Sequence, residues 1–178
     1  MKKKKVQVNV YAFIDSQNLN LGVQSRGWKI DFRKFRQYLR NKYKVSKAYL
    51  FIGQVAGNEL LYAFLQEAGF ILIFKPTLEY RQEDKLRKIK GNVDAELVLH
   101  AMIQYKNYDK VVLVSGDGDF YCLVEYLEQQ GKLFYIMTPN RHYSGLLRKY
   151  NKFIVRVDLL RNSLELQKKT EISGRSKP

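Results

Sequence analysis

The chain has 178 residues, of which 46% are hydrophobic and 13% aromatic, so it has enough apolar material for the core of one domain. This composition excludes disorder along the whole chain. A single cysteine excludes an intramolecular disulfide scaffold, and no uninterrupted apolar stretch approaches the ~18 residues of a membrane span. Gln7, Asn9 and Asp15 interrupt the apolar run after the N-terminal lysines, so we expect a cytoplasmic protein without a cleaved signal peptide.

Positive charge dominates the composition, with 32 Lys and Arg against 17 Asp and Glu and a net charge of +15. The lysines at 2–5 and the net +3 of residues 159–178 account for part of it, and the remaining body keeps +8. A surplus that remains after both ends are removed indicates a polyanionic partner, with nucleic acid as the leading candidate. A basic solubilising surface without a defined ligand is the simpler alternative.

Predicted strands and helices alternate along the chain. Runs rich in β-branched and aromatic residues predict strands at residues 8–14, 47–53, 70–74, 110–115, 133–138 and 153–157. Amphipathic spacing predicts helices at residues 31–43, 58–68, 93–105, 120–130 and 144–150. Asp31 is the expected N-cap of the first of these helices. Residues 79–90 are densely charged with little apolar periodicity, which predicts an exposed loop.

This alternation predicts an α/β sandwich with a mainly parallel central sheet covered by helices on both faces. We expect one domain over residues 8–160, a basic N-terminal tail at 1–7, and a basic, disordered C-terminal tail at 161–178. In such sheets ligands bind beyond the carboxyl ends of the strands, where the strand order reverses. That edge is therefore the expected position of a functional site.

Aspartates follow two of the predicted strands at that edge. Asp15 comes directly after the first strand in FIDSQNLN, and Asp117 and Asp119 come after KVVLVS in SGDGDF. In the common doubly wound order these strands are neighbours, so the carboxylates converge, and Asp94 at a helix start reaches the same edge. Clustered carboxylates repel one another unless cations neutralise them, and hard oxygen ligands select Mg²⁺ or Mn²⁺.

Such a site would act on phosphate esters. A cation held by Asp15, Asp94 and Asp117 could bind a phosphate oxygen, lower the pKa of a water and stabilise an in-line displacement. Asn18, one turn after Asp15, is a neutral group that could orient water or phosphate. Ser115 and the glycine-flanked turn after it would let backbone amides approach an anion closely.

The same residues have simpler roles. Asp15 and Asp94 are both well placed as N-caps, and Asp-Gly-Asp is common in turns. Cys122 lies in the apolar stretch CLVEYL and is expected in the core, while His100 and His142 lack metal-ligand spacing with each other. The chain has no GxGxxG or Walker A pattern, so no nucleotide cofactor is indicated.

Four segments, FIDSQNLN, KIKGNVDAELVLHAM, VVLVSGDGDF and SGLLRKYNKFI, together resemble the NYN domain family, the LabA-like branch of the PIN-like nuclease superfamily. The resemblance covers roughly residues 8–158, and it implies a Rossmann-like, PIN-like sheet and a site that uses Mg²⁺ or Mn²⁺. It also implies ribonuclease activity that leaves a 3′-hydroxyl and a 5′-phosphate. By position it implies a set of four metal-binding acids with two supporting residues: Asp15, Asp94, Asp117 and Asp119, supported by Asn18 and Ser115. Many members have a further aspartate where this chain has His100.

The expected partner is RNA, single-stranded or structured, with no membrane partner and with homodimerisation left open. Basic residues just before the helix at 93–105 are candidates to follow the RNA backbone: Lys85, Arg87, Lys88 and Lys90. The simpler alternative for these residues is a solvated charged loop.

Two other functions compete with a ribonuclease. A non-catalytic RNA-binding module of the same fold would use the same basic surface. The Asp-Gly-Asp sequence after a strand is also similar to the nucleophile motif of haloacid-dehalogenase phosphatases. That motif follows the first strand and continues with Thr or Val, whereas here it comes late and continues with Phe120 and Tyr121.

Overall fold

The chain is described by a computed structural model over residues 8–76, 79–82, 85–88 and 93–167, with backbone alone for the described residues of 76–92. The strands are β1 (Val10–Asp15), β2 (Val45–Gln54), β3 (Ile71–Pro76), β4 (Glu79–Gln82), β5 (Lys85–Lys88), β6 (Lys110–Val114), β7 (Leu133–Thr138) and β8 (Ile154–Arg156). The α-helices are α1 (Ser16–Gln24), α2 (Phe32–Tyr43), α3 (Glu59–Glu67), α4 (Asp94–Ile103), α5 (Tyr121–Gln129) and α6 (Arg161–Leu164). Short 3₁₀ segments occupy Gly118–Phe120, Gly145–Phe153 and Val157–Leu160.

Six strands form one parallel sheet in the order β3-β2-β1-β6-β7-β8. The chain builds outward from β1 to β3, returns to β6 beside β1, and then builds outward in the other direction. Ile14 pairs with Val114, so the residues that follow β1 and β6 lie level with each other at the carboxyl edge. The predicted α/β class and the predicted neighbouring of these two strands are both confirmed.

Both faces of the sheet are covered by helices, so every residue of β1 is buried. Ala12 and Ile14 belong to the core shared with α1, α2 and α3. Phe13 points to the opposite core, where it stacks on Tyr49 with ring centroids 5.3 Å apart, and α4 and α5 cover this side. The alternation of strand side chains therefore produces two apolar layers from one strand sequence.

Two helix ends follow the expected capping rules. The Asp31 side chain accepts a hydrogen bond from the backbone N–H of Lys34 at 3.0 Å, which confirms it as the N-cap of α2. Beyond the end of α3, Gly69 adopts φ +95°, a left-handed conformation that a residue with a side chain rarely takes. Within the described residues, no helix is long and apolar enough to cross a membrane.

The charged segment at 79–90 was predicted as a loop, and this prediction is wrong for its described part. Strands β4 and β5 pair antiparallel as a separate two-stranded ribbon, with Tyr80 opposite Arg87. A small ribbon of charged residues shows no apolar alternation, so periodicity gives no signal for it. Lys90, the last of the basic candidates, lies outside the described residues.

The first residues of the predicted C-terminal tail are packed into the domain. Leu164 of α6 is buried, and its carbonyl accepts a hydrogen bond of 2.8 Å from the N–H of Asp31. Ile30 and Glu165 form an antiparallel bridge. The sequence around α6 is polar and gives no sign of this contact, because the residues it contacts lie more than 130 positions earlier in the chain. The described residues just after 160 therefore contact the domain, and residues 168–178 lie outside the described part.

Two further local expectations differ from the structure. Helix α1 was not predicted, because only Leu19 and Val23 mark its buried side among polar residues. Cys122 was expected in the core but is exposed, since the buried stripe of α5 consists of Leu123, Val124 and Leu127.

Candidate metal centre at the carboxyl edge

A cavity of about 590 Å³ lies at the carboxyl ends of β1, β6 and β7. Its walls come from α1, from the start of α4 and from the loops that follow β6 and β7. All four aspartates predicted from the sequence line it: Asp15, Asp94, Asp117 and Asp119. The reversal of strand order at β1 and β6 opens this crevice, as expected for a doubly wound sheet.

Three of these aspartates form a close group. Carboxylate oxygens of Asp94, Asp117 and Asp119 all lie within 4.8 Å of one another. Asp117 is held by two hydrogen bonds: its N–H donates to the Oγ of Ser115 at 3.1 Å, and its Oδ1 accepts from the N–H of Asp119 at 3.1 Å. Val93, not Asp94, is the N-cap of α4, so the capping role considered for Asp94 is wrong.

Asp15 has a different place in the same cavity. It is only 5% exposed, and its Oδ1 accepts a hydrogen bond from the N–H of Asn18 at 3.0 Å, which makes it the N-cap of α1. Its pKa is raised to about 6: burial is the largest cause, the negative charges of Asp94 and Asp117 add to it, and the hydrogen bond from Asn18 opposes them. Asp15 is therefore not part of the group of three, but the charges of Asp94 and Asp117 act on it.

Asn18 and Ser115 hold this edge together. The Oδ1 of Asn18 accepts a hydrogen bond from the N–H of Gly116 at 2.9 Å, which ties α1 to the loop that carries Asp117 and Asp119. Ser115 is fully buried and supports the backbone of Asp117. Asn18 lines the cavity, whereas Ser115 is not among its lining residues.

The loop after β7 is the part of the site that sequence reasoning missed. Asn140 is buried, donates through Nδ2 to the carbonyl of Gly22 at 2.7 Å, and accepts through Oδ1 from the N–H of His142 at 2.7 Å. Gly22, Asn140 and His142 all line the cavity. The sequence could have indicated this loop, because Pro139–His142 directly follows a predicted strand that ends at the same edge.

The remaining candidates either do not line the cavity or have side chains outside the described part of the structure. His100 is not a cavity residue, and its ring packs 5.6 Å from that of Phe51. Lys85, Arg87 and Lys88 are on β5, where the structure describes the backbone alone.

The donor set fits a hard divalent cation. Asp94, Asp117 and Asp119 supply carboxylate oxygens, the ligands that Mg²⁺ and Mn²⁺ prefer. Burial is the largest cause of the raised pKa of Asp15, and the negative charges of Asp94 and Asp117 add to it. A cation bound here would compensate those charges.

Replacing Asp15 by Asn should stabilise the cation-free protein in a pH-dependent way. The Asp15 pKa rises from 3.8 to about 6 on folding, so its ionisation costs the fold up to about 3 kcal/mol, a cost complete above pH about 6. Asn retains a capping oxygen and carries no charge. Urea unfolding in EDTA should therefore show equal stabilities near pH about 4 and a more stable Asp15→Asn protein near pH about 8. A stability difference that does not change with pH would contradict this assignment.

The fold and the acidic group define an α/β protein with a doubly wound sheet. Its candidate cation-binding site lies at the edge where the strand order reverses. A family model described as the NYN domain matches residues 9–161. The chain therefore belongs to the NYN domain family, whose domains are generally nucleases.

Two individual proteins are similar over most of their lengths. The low amplitude and bright protein LabA of Synechococcus elongatus is 24% identical over 165 residues, which cover 89% of each chain. A solved structure of a protein of unknown function from Vibrio parahaemolyticus matches with a TM-score of 0.73 and 23% identity. That match covers 92% of this chain and 99% of the other, and it supports the fold.

Proposed function

We propose that this protein is a metal-dependent ribonuclease that hydrolyses RNA phosphodiester bonds at the carboxyl-edge cavity. The observation that carries the proposal is the close group of Asp94, Asp117 and Asp119. These acids come from two separate segments of a chain whose net charge is +15. Membership of a family of nucleases supports the same function.

Different residues of the chain would have different roles at this site. Asp94, Asp117 and Asp119 would hold Mg²⁺ or Mn²⁺, and Asp15 would contribute negative charge from its buried position. A cation bound there supplies Lewis-acid stabilisation of charge on the phosphodiester and lowers the pKa of water. Asn18 would keep the loop that carries two of the acids against α1.

The cavity is suited to one nucleotide unit of a longer strand. Its volume of about 590 Å³ lies in the ordinary range for small-ligand sites. Hydrolysis there would place water on phosphorus and break the bond to O3′, leaving the 3′-hydroxyl and 5′-phosphate that the family resemblance implies. The exposed His142 at the cavity wall is placed to contact a neighbouring phosphate.

A non-catalytic RNA-binding module of the same fold is the second candidate. The net charge of +15 favours RNA binding whether or not cleavage follows. The two functions differ in their need for a cation at the acidic group.

Cleavage of an end-labelled, partly single-stranded RNA tests the proposal. Purified protein should cut this RNA with Mg²⁺ or Mn²⁺ and should stop cutting when EDTA is added, with activity restored by excess cation. Tight binding without cutting in any of these conditions would favour the binding module. Release of phosphate from a small ester, with a trapped aspartyl-phosphate, would instead support a phosphatase.

Removing the four basic candidate residues at 85–90 should weaken RNA binding and its salt dependence. Changing Lys85, Arg87, Lys88 and Lys90 to Gln removes up to four phosphate contacts, so the slope of log K against log[salt] should fall by about 0.7 per contact. Filter binding over a salt series in EDTA measures this slope.

A matched variant removes four basic residues where α2 leads into β2, at the end of the sheet opposite the cavity: Arg40, Lys42, Lys44 and Lys47. It should leave the slope nearly unchanged. Equal slopes for the two variants would mean that total charge, and not the particular residues at 85–90, governs binding.

A further inference from the structure

The cavity at the carboxyl edge is acidic, although its proposed substrate is a polyanion. Four aspartates line it, and none of its described lining residues is Lys or Arg. A cation held by Asp94, Asp117 and Asp119 would attract the phosphate that is cleaved. A neighbouring phosphate of the same strand would need positive charge or hydrogen-bond donors from the protein at the cavity wall.

Arg141 and His142 supply such groups at the wall. His142 lines the cavity, and the Nε–H of Arg141 donates a hydrogen bond to its Nε2 at 3.3 Å. Both residues are exposed. Within the described residues neither is paired with a carboxylate, whereas Arg156 at the end of β8 is paired with Asp158 at 2.7 Å.

The hydrogen bond between the two side chains determines what they can offer a ligand. Because the Nε2 of His142 accepts, the imidazole has its proton on Nδ1, and Arg141 retains the N–H groups of both terminal nitrogens. All of these remaining groups are donors, so the pair suits an anion with several oxygens, such as phosphate. It does not suit a cation, because the imidazole lone pair that a metal needs is occupied.

The backbone on both sides of the pair is anchored to the walls of the cavity. On one side, the Oδ1 of Asn140 accepts from the N–H of His142, and its Nδ2 donates to the carbonyl of Gly22 on α1. On the other side, the N–H of Ser144 donates to the carbonyl of Gly116, in the loop after β6, at 2.9 Å. These contacts hold the pair at the cavity without a ligand, which lowers the cost of ordering it on binding.

We propose that Arg141 and His142 form a subsite for the phosphate next to the one that is cleaved. The proposal rests on the proposed function in taking RNA as the ligand, but binding at the subsite needs no cleavage. The guanidinium of Arg141 would donate two parallel hydrogen bonds to phosphate oxygens, and the Nδ1–H of His142 would donate a further one. The RNA strand would then cross the cavity from the acidic group to the loop after β7.

Protection of His142 from chemical modification tests the subsite without reference to cleavage. The chain has two histidines, so mass spectrometry can follow the reaction of diethyl pyrocarbonate with each of them. In EDTA, a single-stranded RNA at about ten times its dissociation constant should slow the reaction of His142 about 10-fold. The reaction of His100, which does not line the cavity, should keep its rate.

Arg141→Gln tests the contribution of the guanidinium. It should raise the dissociation constant for RNA in EDTA roughly 10-fold, as expected when a charged hydrogen-bonding group is lost. The slope of log K against log[salt] should fall by about 0.7, the value for one phosphate contact on a single strand. Arg40→Gln is the matched control, because Arg40 is an exposed arginine in the last turn of α2, at the end of the sheet opposite the cavity. It should change neither quantity, and thermal unfolding should show that both variants fold.

The outcomes separate the subsite from the ribonuclease activity. Unchanged reactivity of His142 while RNA is bound would overturn the subsite, and so would equal RNA affinities of Arg141→Gln and Arg40→Gln. Either result would leave the ribonuclease proposal standing if the protein still cuts RNA with Mg²⁺. RNA that protects His142 but is never cut would support the subsite and contradict the ribonuclease. A protein that binds no RNA would contradict both.

Discussion

Asp117→Asn is expected to lower the rate of metal-dependent RNA cleavage by at least about 100-fold, the typical loss when one group that stabilises transition-state charge is removed. Asn retains the Oδ1 that accepts a hydrogen bond from Asp119, so the loop should keep its conformation. The substitution removes one charge from the close group of three carboxylates, which weakens its hold on a cation. Single-turnover cleavage of end-labelled RNA at saturating protein measures the effect.

RNA affinity separates this prediction from a general loss of function. With fewer negative charges near the phosphates, Asp117→Asn should bind RNA in EDTA at least as tightly as the parent. Asp109→Asn is the matched control, because Asp109 is an exposed aspartate before β6, at the opposite end of that strand. If Asp117→Asn cleaved normally, the acidic group would not be catalytic and the binding module would be the better proposal.

Gly22→Ala is expected to destabilise the protein by about 1–3 kcal/mol, the range for an overpacked site. A Cβ at Gly22 would lie 2.3 Å from the Cβ of Pro139, far inside van der Waals contact. The usual effect of this substitution within a helix is a gain of up to about 1 kcal/mol, so the expected sign is reversed. The clash would also push α1 away from the loop that Asn140 anchors, which should lower RNA cleavage.

Urea unfolding measures the stability, and Gly145→Ala provides the comparison because nothing lies within 4 Å of a Cβ built there. We expect Gly145→Ala to match or slightly exceed the parent in stability and to cleave RNA normally. Stabilisation by Gly22→Ala would show that α1 and the β7 loop can separate without cost, and that their close packing does not shape the site.

The sheet and the position of the site followed from local sequence features. Strands buried on both faces have nearly continuous apolar runs, so β1 and β6 were recognisable without their neighbours. The rule for doubly wound sheets then assigned Asp15, Asp117 and Asp119 to one edge. The NYN family match agrees with the motifs that suggested this resemblance.

Three elements were not predictable in this way. The α6 segment is held by Ile30 and Asp31, and the ribbon of β4 and β5 has no apolar alternation. Helix α1 presents only Leu19 and Val23 to the core, a pattern too short for periodicity to detect. In each case the segment's own apolar pattern is too weak to predict the element.

The sequence by itself determined the α/β class, the strands that meet at the switch point, and the residue types available for a cation. The tertiary structure decided how those residues divide: Asp94, Asp117 and Asp119 form the close group, while Asp15 caps α1 from a buried position. It also decided that Asn140 and Gly22 join the loop after β7 to α1. Strand formation depends on the local pattern of side chains along the chain. Distances between carboxylates depend on how separate segments pack, and a local pattern carries no information about that packing.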